Sequence, residues 1–218
     1  VDGFDDQYYF GRRANGFYIP RYRNIGKDKR DYIRGFGYQG SASRQGWSSA
    51  IAELSIGADL KNAVSKPGKW TVGMGGFGEI LPYHENFVVI NKEKKDKYGL
   101  PTLTFDAVLR DNEFKMRKDM AADAAEMLEA SGFKNVKTSD REIGIGLGIH
   151  EMGTARMGKD PKTSVLNKWN QVHACKNVFV TDGSFMTSAA CHNPSLGYMA
   201  FTARAVDYAV SELKKNNI

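Results

Sequence analysis

The last twenty-five residues of the chain place the tightest constraint on what it can become. Leu196, Met199, Ala203, Val206, Val210 and Leu213 recur at alternating spacings of three and four. That period lays apolar side chains along one stripe of an α-helix. Pro194 stands where a first helical turn tolerates proline. The pattern predicts a helix from about Ser195 to Lys215 whose stripe must be covered, so the helix belongs to a packed domain. With 218 residues, 41% hydrophobic and 26% charged, the chain has material for one or two such domains. Disordered, collagenous and fibrous classes are excluded. No window approaches the ~18 uninterrupted apolar residues of a membrane span, so no transmembrane segment is expected. Residue 1 is Val, with no charged-then-apolar leader behind it, and the opening reads as the middle of something longer. The compartment stays open.

The formal net charge is +6, and the first fifty residues hold nine Lys/Arg against five Asp/Glu. Aromatics interleave with these cations: Tyr8, Tyr9, Phe10, Arg12 and Arg13, then Tyr18, Arg21, Tyr22 and Arg23, then Arg34, Phe36 and Tyr38. One reading is a stacking and basic surface for nucleic acid. The other, which we favour, is a glycine-rich region in which arginines bury their stems and donate to carbonyls, with no nucleic-acid partner. Cys175 and Cys191 are the only cysteines, so no disulfide framework is implied. His173 with Cys175, and Cys191 with His192, are spaced too tightly for paired zinc ligands. No metal is expected.

Residues 1–80 read as loops and short elements punctuated by glycine, with clusters at Gly35, Gly37, Gly40 and Gly46 and at Gly73, Gly75, Gly76 and Gly78. The apolar run after Asn86, a charged turn from Lys92 to Lys97 and the alternating run Pro101 to Arg110 predict an antiparallel hairpin with a half-buried second strand. Asp111 is a candidate cap for a helix to about Ala130, with Met116, Met120, Ala124 and Met127 as a core stripe and Gly132 as its stop.

From Ile143 to Ile149, apolar residues alternate strictly with Gly144, Gly146 and Gly148. As a strand this would have one bare face, and His150 would project at its end. The string is not a dinucleotide fingerprint, since position 149 is Ile and no suitable helix follows. Asn177 to Thr181 predicts a buried strand that delivers Asp182 and Gly183 to a turn. His192 and Asn193 then stand at the entrance of the last helix, where unpaired N–H groups and a partial positive charge suit an anionic group. Asn193 is also a candidate helix cap.

His150-x-x-Gly153-Thr154-x-Arg156-Met157-Gly158, then Val180-Thr-Asp182-Gly183-Ser184, then Asn193-Pro194-Ser195 with Met199-Ala200 and Ala203-Arg204-Ala205 form a set in order and register. Together they resemble the C-terminal part of the glucose-methanol-choline oxidoreductase family. Gly78-Glu79, the Phe87 to Asp106 hairpin and the Asp111 helix resemble its substrate-domain portion. The resemblance implies a mixed α+β and α/β chain: a partial FAD/NAD(P)-binding-type flavin domain over 146–218, and an antiparallel-sheet substrate-binding domain with helices over 1–145. It implies an FAD enzyme that moves hydride from a sugar or other alcohol CH–OH to the flavin. His150 matches the family's base. Asn193, six residues before Met199, matches the second catalytic position as in members similar to pyranose oxidase and choline oxidase, with His192 as the alternative one step away. Asp182, Gly183, Asn193, Pro194 and Ser195 match its flavin-contacting positions.

The family's N-terminal strand, Gly-x-Gly-x-x-Gly turn and ribose-binding acid are not found in this sequence. By resemblance, the partners are therefore a sugar or alcohol substrate, a missing N-terminal FAD-binding half and an unidentified electron acceptor. The fragment alone is expected to be inactive. A catalytically silent carbohydrate-binding fragment is the rival function, and a basic and aromatic nucleic-acid module the lesser one.

Overall fold

The computed structural model describes residues 16–44, 56–65, 70–140 and 144–218. Tyr8, Tyr9, Phe10, Arg12, Arg13, Gly46 and Ile143 from the sequence reading lie outside them. The chain divides into two compact units, Val1–Phe77 with Met116–Asp140, and Gly78–Lys115 with Arg141–Ile218. Among the described residues no helix is long and apolar enough to cross a membrane.

The first unit is built on a three-stranded sheet, β1 (Gly16–Ile19), β2 (Phe36–Arg44) and β3 (Trp70–Gly78), in that spatial order. Strands β1 and β2 are antiparallel, with Gly16 opposite Ser41 and Ile19 opposite Tyr38. A short helix α1 (Gly57–Ser65) and most of the long helix α2 (Asp111–Ala130) complete it. The glycines that read as punctuation lie inside strands, where they allow close approach. A methyl group on Gly40 would sit 2.6 Å from the Gly73 carbonyl oxygen and collide with the Phe17 ring, and one on Gly76 would strike the Met120 sulfur. The core is Tyr32, Phe36, Tyr38 and Met116, with Met120, Ala124 and Met127 packed against it. The methionine stripe is core, as expected.

Arg21 donates to the carbonyls of Arg23 and Asn24, as the carbonyl reading predicts. Arg23 instead forks onto Asp123, with both N···O distances 2.6 Å, and the Tyr22 hydroxyl joins the same carboxylate at 2.8 Å. Burial, followed by that hydrogen bond, pushes the Tyr22 hydroxyl pKa up to about 12.

Helix α2 stops where predicted. Gly132 adopts φ 86°, and the N–H groups of Phe133 and Gly132 donate to the carbonyls of Leu128 (3.1 Å) and Glu129 (2.9 Å), a Schellman pattern. Its start differs from the expectation. Asp111 is the first helical residue rather than the cap. The Arg110 carbonyl takes the first helical N–H groups, and Glu113 Oε2 accepts from the Arg110 N–H at 3.0 Å, one arm of a capping box.

The second unit holds the predicted hairpin, β4 (Phe87–Lys95) against β5 (Pro101–Asp106), with Val88 opposite Phe105 and Ile90 opposite Leu103. Its turn lies later than expected. Asp96 Oδ1 accepts from the N–H groups of Tyr98 and Leu100, and Gly99 takes φ 82°. The half-buried face does not materialise, because Ile90, Leu103 and Phe105 are 64%, 57% and 68% exposed. A small ribbon, β6 (Gln171–Val172) with β7 (Cys175–Phe179), precedes the last helix α3 (Ser195–Lys214). Strand β7 is mostly exposed, contrary to the buried strand predicted around Asn177.

Helix α3 has the predicted span but packs by a different face. Ala205 is buried, Phe201 lies 4.9 Å from Phe185, and Tyr208 stacks on Trp169 at 4.7 Å. The predicted stripe is open, with Leu196 78% and Met199 69% exposed. Tyr198, Phe201, Ala205 and Tyr208 repeat at the same three-four-three spacing, and this second stripe finds partners within the unit.

Burial works against ionisation of Asp123, but the Arg23 and Tyr22 hydrogen bonds outweigh it and hold its carboxyl below the ordinary aspartate range. The stabilisation is therefore fully present above the unfolded-state pKa of about 3.9, and fades as pH falls through the lower folded value. Asp123→Asn should cost about 2–3 kcal/mol at pH 7, less than a fully buried pair because Arg23 is partly exposed. In urea unfolding, the deficit should shrink below about pH 3.5.

Candidate active site

The glycine-alternating run is not a strand over its described part. Gly146 (φ 93°) and Ile149 (φ 56°) are in the left-handed region, which breaks the two-residue period and folds residues 144–150 into turns. His150 is half-buried in this irregular segment rather than at the end of a bare sheet face. Glu151 closes the last turn, its Oε1 accepting from the Gly148 N–H at 2.9 Å.

The following motif runs beside the Asp182 turn. The Ala155 and Met157 N–H groups donate to the carbonyls of Ser184 and Phe185, each at 3.0 Å. Gly153, at φ 93°, starts the tight turn that sets up this pairing, and Arg156 fastens it by donating to the Thr163 carbonyl at 2.6 Å. After β7, buried Asn170 grips Val180 twice: its carbonyl accepts from the Val180 N–H at 2.9 Å and its side-chain amide donates to the Val180 carbonyl at 3.0 Å. Two residues on, Asp182 Oδ1 accepts from the N–H (2.9 Å) and hydroxyl of Ser184 and caps the short 3₁₀ turn Gly183–Phe185.

Gly183 is where the segments meet. A Cβ there would lie 2.6 Å from the Tyr198 hydroxyl in the first turn of α3, and 3.1 Å from the carbonyl of Glu151, the residue after His150. Burial raises the Tyr198 pKa, and the Asp182 and Glu151 charges add to the effect. Helix α3 begins without a side-chain cap. Pro194, not Asn193, holds the cap position, and it is buried while His192, Asn193 and Ser195 are exposed. Among the described residues no hydrogen bond joins His150 to Asn193. The structure thus gathers Asp182, Gly183, Glu151 and the start of α3 through direct contacts. His150 and Asn193 adjoin that cluster by sequence.

Sequence reasoning missed Asn170, Tyr198 and the pair Glu79 and Ser188, whose side chains are hydrogen-bonded. Only Glu79 carried a signal, as part of the Gly78-Glu79 pair. His173 Nε2 lies 3.1 Å from the Ser164 hydroxyl and Cys175 faces Asn177, and among the described residues no three His, Cys, Asp or Glu side chains are grouped to hold a metal.

Residues 82–202 match the C-terminal model of the family described as GMC oxidoreductase. The chain belongs to this family. It is 37% identical over 136 residues to a 2-methyl-1,2-propanediol dehydrogenase of Mycolicibacterium austroafricanum, covering 61% of this chain and 24% of that protein. It is 27% identical over 183 residues to the fructose dehydrogenase large subunit of Gluconobacter japonicus, covering 82% and 32%. With a pyranose 2-oxidase of Lyophyllum shimeji it shares 23% over 165 residues, covering 76% and 26%. The chain spans about a quarter to a third of the length of these relatives. GMC oxidoreductases are flavin-dependent.

The uncapped start of α3 leaves main-chain N–H groups for an acceptor, and a side chain at Gly197 would meet open space. Gly183→Ala should destabilise the chain by about 1–3 kcal/mol, as overpacking does. Because the nearest obstacle is the Tyr198 hydroxyl, the cost should fall in a Tyr198→Phe background, as measured by a double-mutant cycle of urea unfolding.

Proposed function

We propose that the chain is the C-terminal portion of an FAD-dependent oxidoreductase that oxidises a CH–OH group of a sugar or other alcohol. The observation that carries the reading is the convergence of the Glu151 carbonyl, the Asp182 turn and the uncapped start of α3 on Gly183. It brings three family motifs into one small region, each next to a residue able to do part of the chemistry. The relatives, whose names specify a diol, fructose and pyranoses, support the substrate class.

FAD, when bound, supplies the acceptor for hydride. His150, as a neutral imidazole, takes the hydroxyl proton on a ring nitrogen as the C–H bond is broken. The Asn193 side-chain amide donates to the same substrate oxygen, which fixes the hydroxyl and so the direction of the C–H bond. The N–H groups of Ser195 and the next residues of α3, left without a side-chain cap, would offer donors to the flavin and favour negative charge on it. Asp182 and Gly183 would hold the ribityl and phosphate region, and Pro194 would keep the helix entrance rigid. The pyrophosphate-binding turn belongs to sequence beyond these residues, a flavin-domain portion that 146–218 completes.

The test is the complete flavin-loaded protein mixed anaerobically with a diol, fructose or glucose. Bleaching of the yellow absorbance supports the reading, and a colourless protein from the complete coding sequence overturns it. His150→Ala should slow flavin reduction by roughly 100-fold or more while FAD stays bound. Asn193→Ala should slow it by roughly 10-fold or more, whereas a large loss in His192→Ala with none in Asn193→Ala would move the second role to His192.

A further inference from the structure

Glu79 is among the few charged side chains buried among the described residues, at 5% exposure. It directly follows β3, and its Oε1 accepts a hydrogen bond from the Ser188 hydroxyl. Ser188 lies five residues before Asn193, in the loop joining the 3₁₀ turn to α3. This loop is under strain. Ala190 and Cys191 are consecutive non-glycine residues at φ 54°, a left-handed conformation that L side chains rarely adopt. Such a backbone persists only where the surroundings over-determine it. The burial of Cys191 and Pro194 supplies one constraint on the His192-Asn193 side, and the Glu79 bond supplies one on the other.

Glu79 is itself held firmly. The Leu81 N–H, two residues on, donates to Glu113 Oε1 at 3.1 Å, and the Tyr83 hydroxyl lies 3.2 and 3.0 Å from the two Glu113 oxygens. Glu113 is 1% exposed and also takes the Arg110 N–H at the start of α2. A rigid helix start therefore fixes the strand exit, the strand exit fixes Glu79, and Glu79 fixes the loop.

We infer that Glu79 is a positioning residue that acts through Ser188 to hold the strained 186–194 loop, and with it Asn193, in the geometry used for substrate oxidation. The inference rests on the function proposed above only for its catalytic consequence. The loop anchor stands on the hydrogen bond and the strain.

Two measurements test it on Glu79→Ala, Glu79→Gln, Ser188→Ala and the Glu79→Ala/Ser188→Ala pair. In the flavin-loaded complete protein, Glu79→Ala and Ser188→Ala should each slow flavin reduction about 10- to 100-fold, as a displaced substrate-orienting group does, with flavin content unchanged. The pair should lose no more than the worse single variant, since both remove the same bond. Glu79→Gln keeps an acceptor oxygen and should recover most of the loss. Hydrogen-deuterium exchange gives a readout that needs no turnover: both alanine variants should speed exchange across 186–194 and leave 116–130 as in the parent. Multiplicative losses in the pair, or parental exchange across 186–194 in Ser188→Ala, would overturn the anchor. If the parent protein oxidises no alcohol, the functional reading fails while the exchange data still decide the role of Glu79. If Glu79→Ala does not fold, Glu79→Gln and Ser188→Ala carry both measurements.

Discussion

The space beside Gly183 is too small for a methyl group, and the second unit depends on that closeness. With the Tyr198 hydroxyl and the Glu151 carbonyl both near its α-carbon, the turn that carries Asp182 can lie between the His150 segment and the first turn of α3. A side chain there would wedge the three apart. The neighbouring contacts keep the same arrangement: the 155–157 segment pairs with the carbonyls of Ser184 and Phe185, and Phe185 is buried against Phe201 of α3. A glycine read from sequence as a turn residue thus acts chiefly by letting three segments approach one another.

How much of the fold the sequence reveals depends on how local the deciding interaction is. The Gly132 stop was legible because a Schellman end is made within six residues and needs a left-handed position. The Phe87 to Asp106 hairpin was legible because alternation and turn chemistry are short-range. The start of α2 was displaced because a buried Glu113 reaches back to Arg110, a bond that outweighs the intrinsic capping preference of Asp111. The Ile-Gly run failed for a related reason. Period-2 patterning presupposes extended backbone, and positive φ at Gly146 and Ile149 removes that premise. Asp182 and Gly183 were legible as a turn at a strand end, and the 3₁₀ turn Gly183–Phe185 capped by Asp182 matches that. The partners that hold the site were not legible. Glu79 and Ser188 are 109 residues apart, and neither belongs to a pattern that would join them.

The open stripe on α3 separates two properties that a hydrophobic pattern conflates. Patterning reports which face a helix can bury, and exposure reports which face these residues cover. Helix α3 has two stripes at the same spacing, an aromatic one through Tyr198, Phe201 and Tyr208 that is packed, and an aliphatic one through Leu196, Met199, Val206 and Leu213 that is not. Val88, Ile90, Leu103 and Phe105 place a further largely open face on the hairpin. Contiguous apolar surface of this kind marks contact regions in folded proteins.

Strain in the loop before α3 bears on how Asn193 could act. A residue that orients a hydroxyl contributes only if its own position costs little to maintain during the reaction. Asn193 has no capping bond to fix it, since Pro194 occupies the cap position. Its placement must therefore come from the backbone on either side. On one side stands the buried Pro194 at the head of a twenty-residue helix, and on the other two left-handed residues tied through Ser188 to a buried carboxylate. A loop so held has few low-energy alternatives while its anchors stand, and would relax once either is removed. On the proposed role of Asn193, the left-handed backbone at Ala190 and Cys191 would make its orientation depend on Glu79, a residue more than a hundred positions away in the sequence.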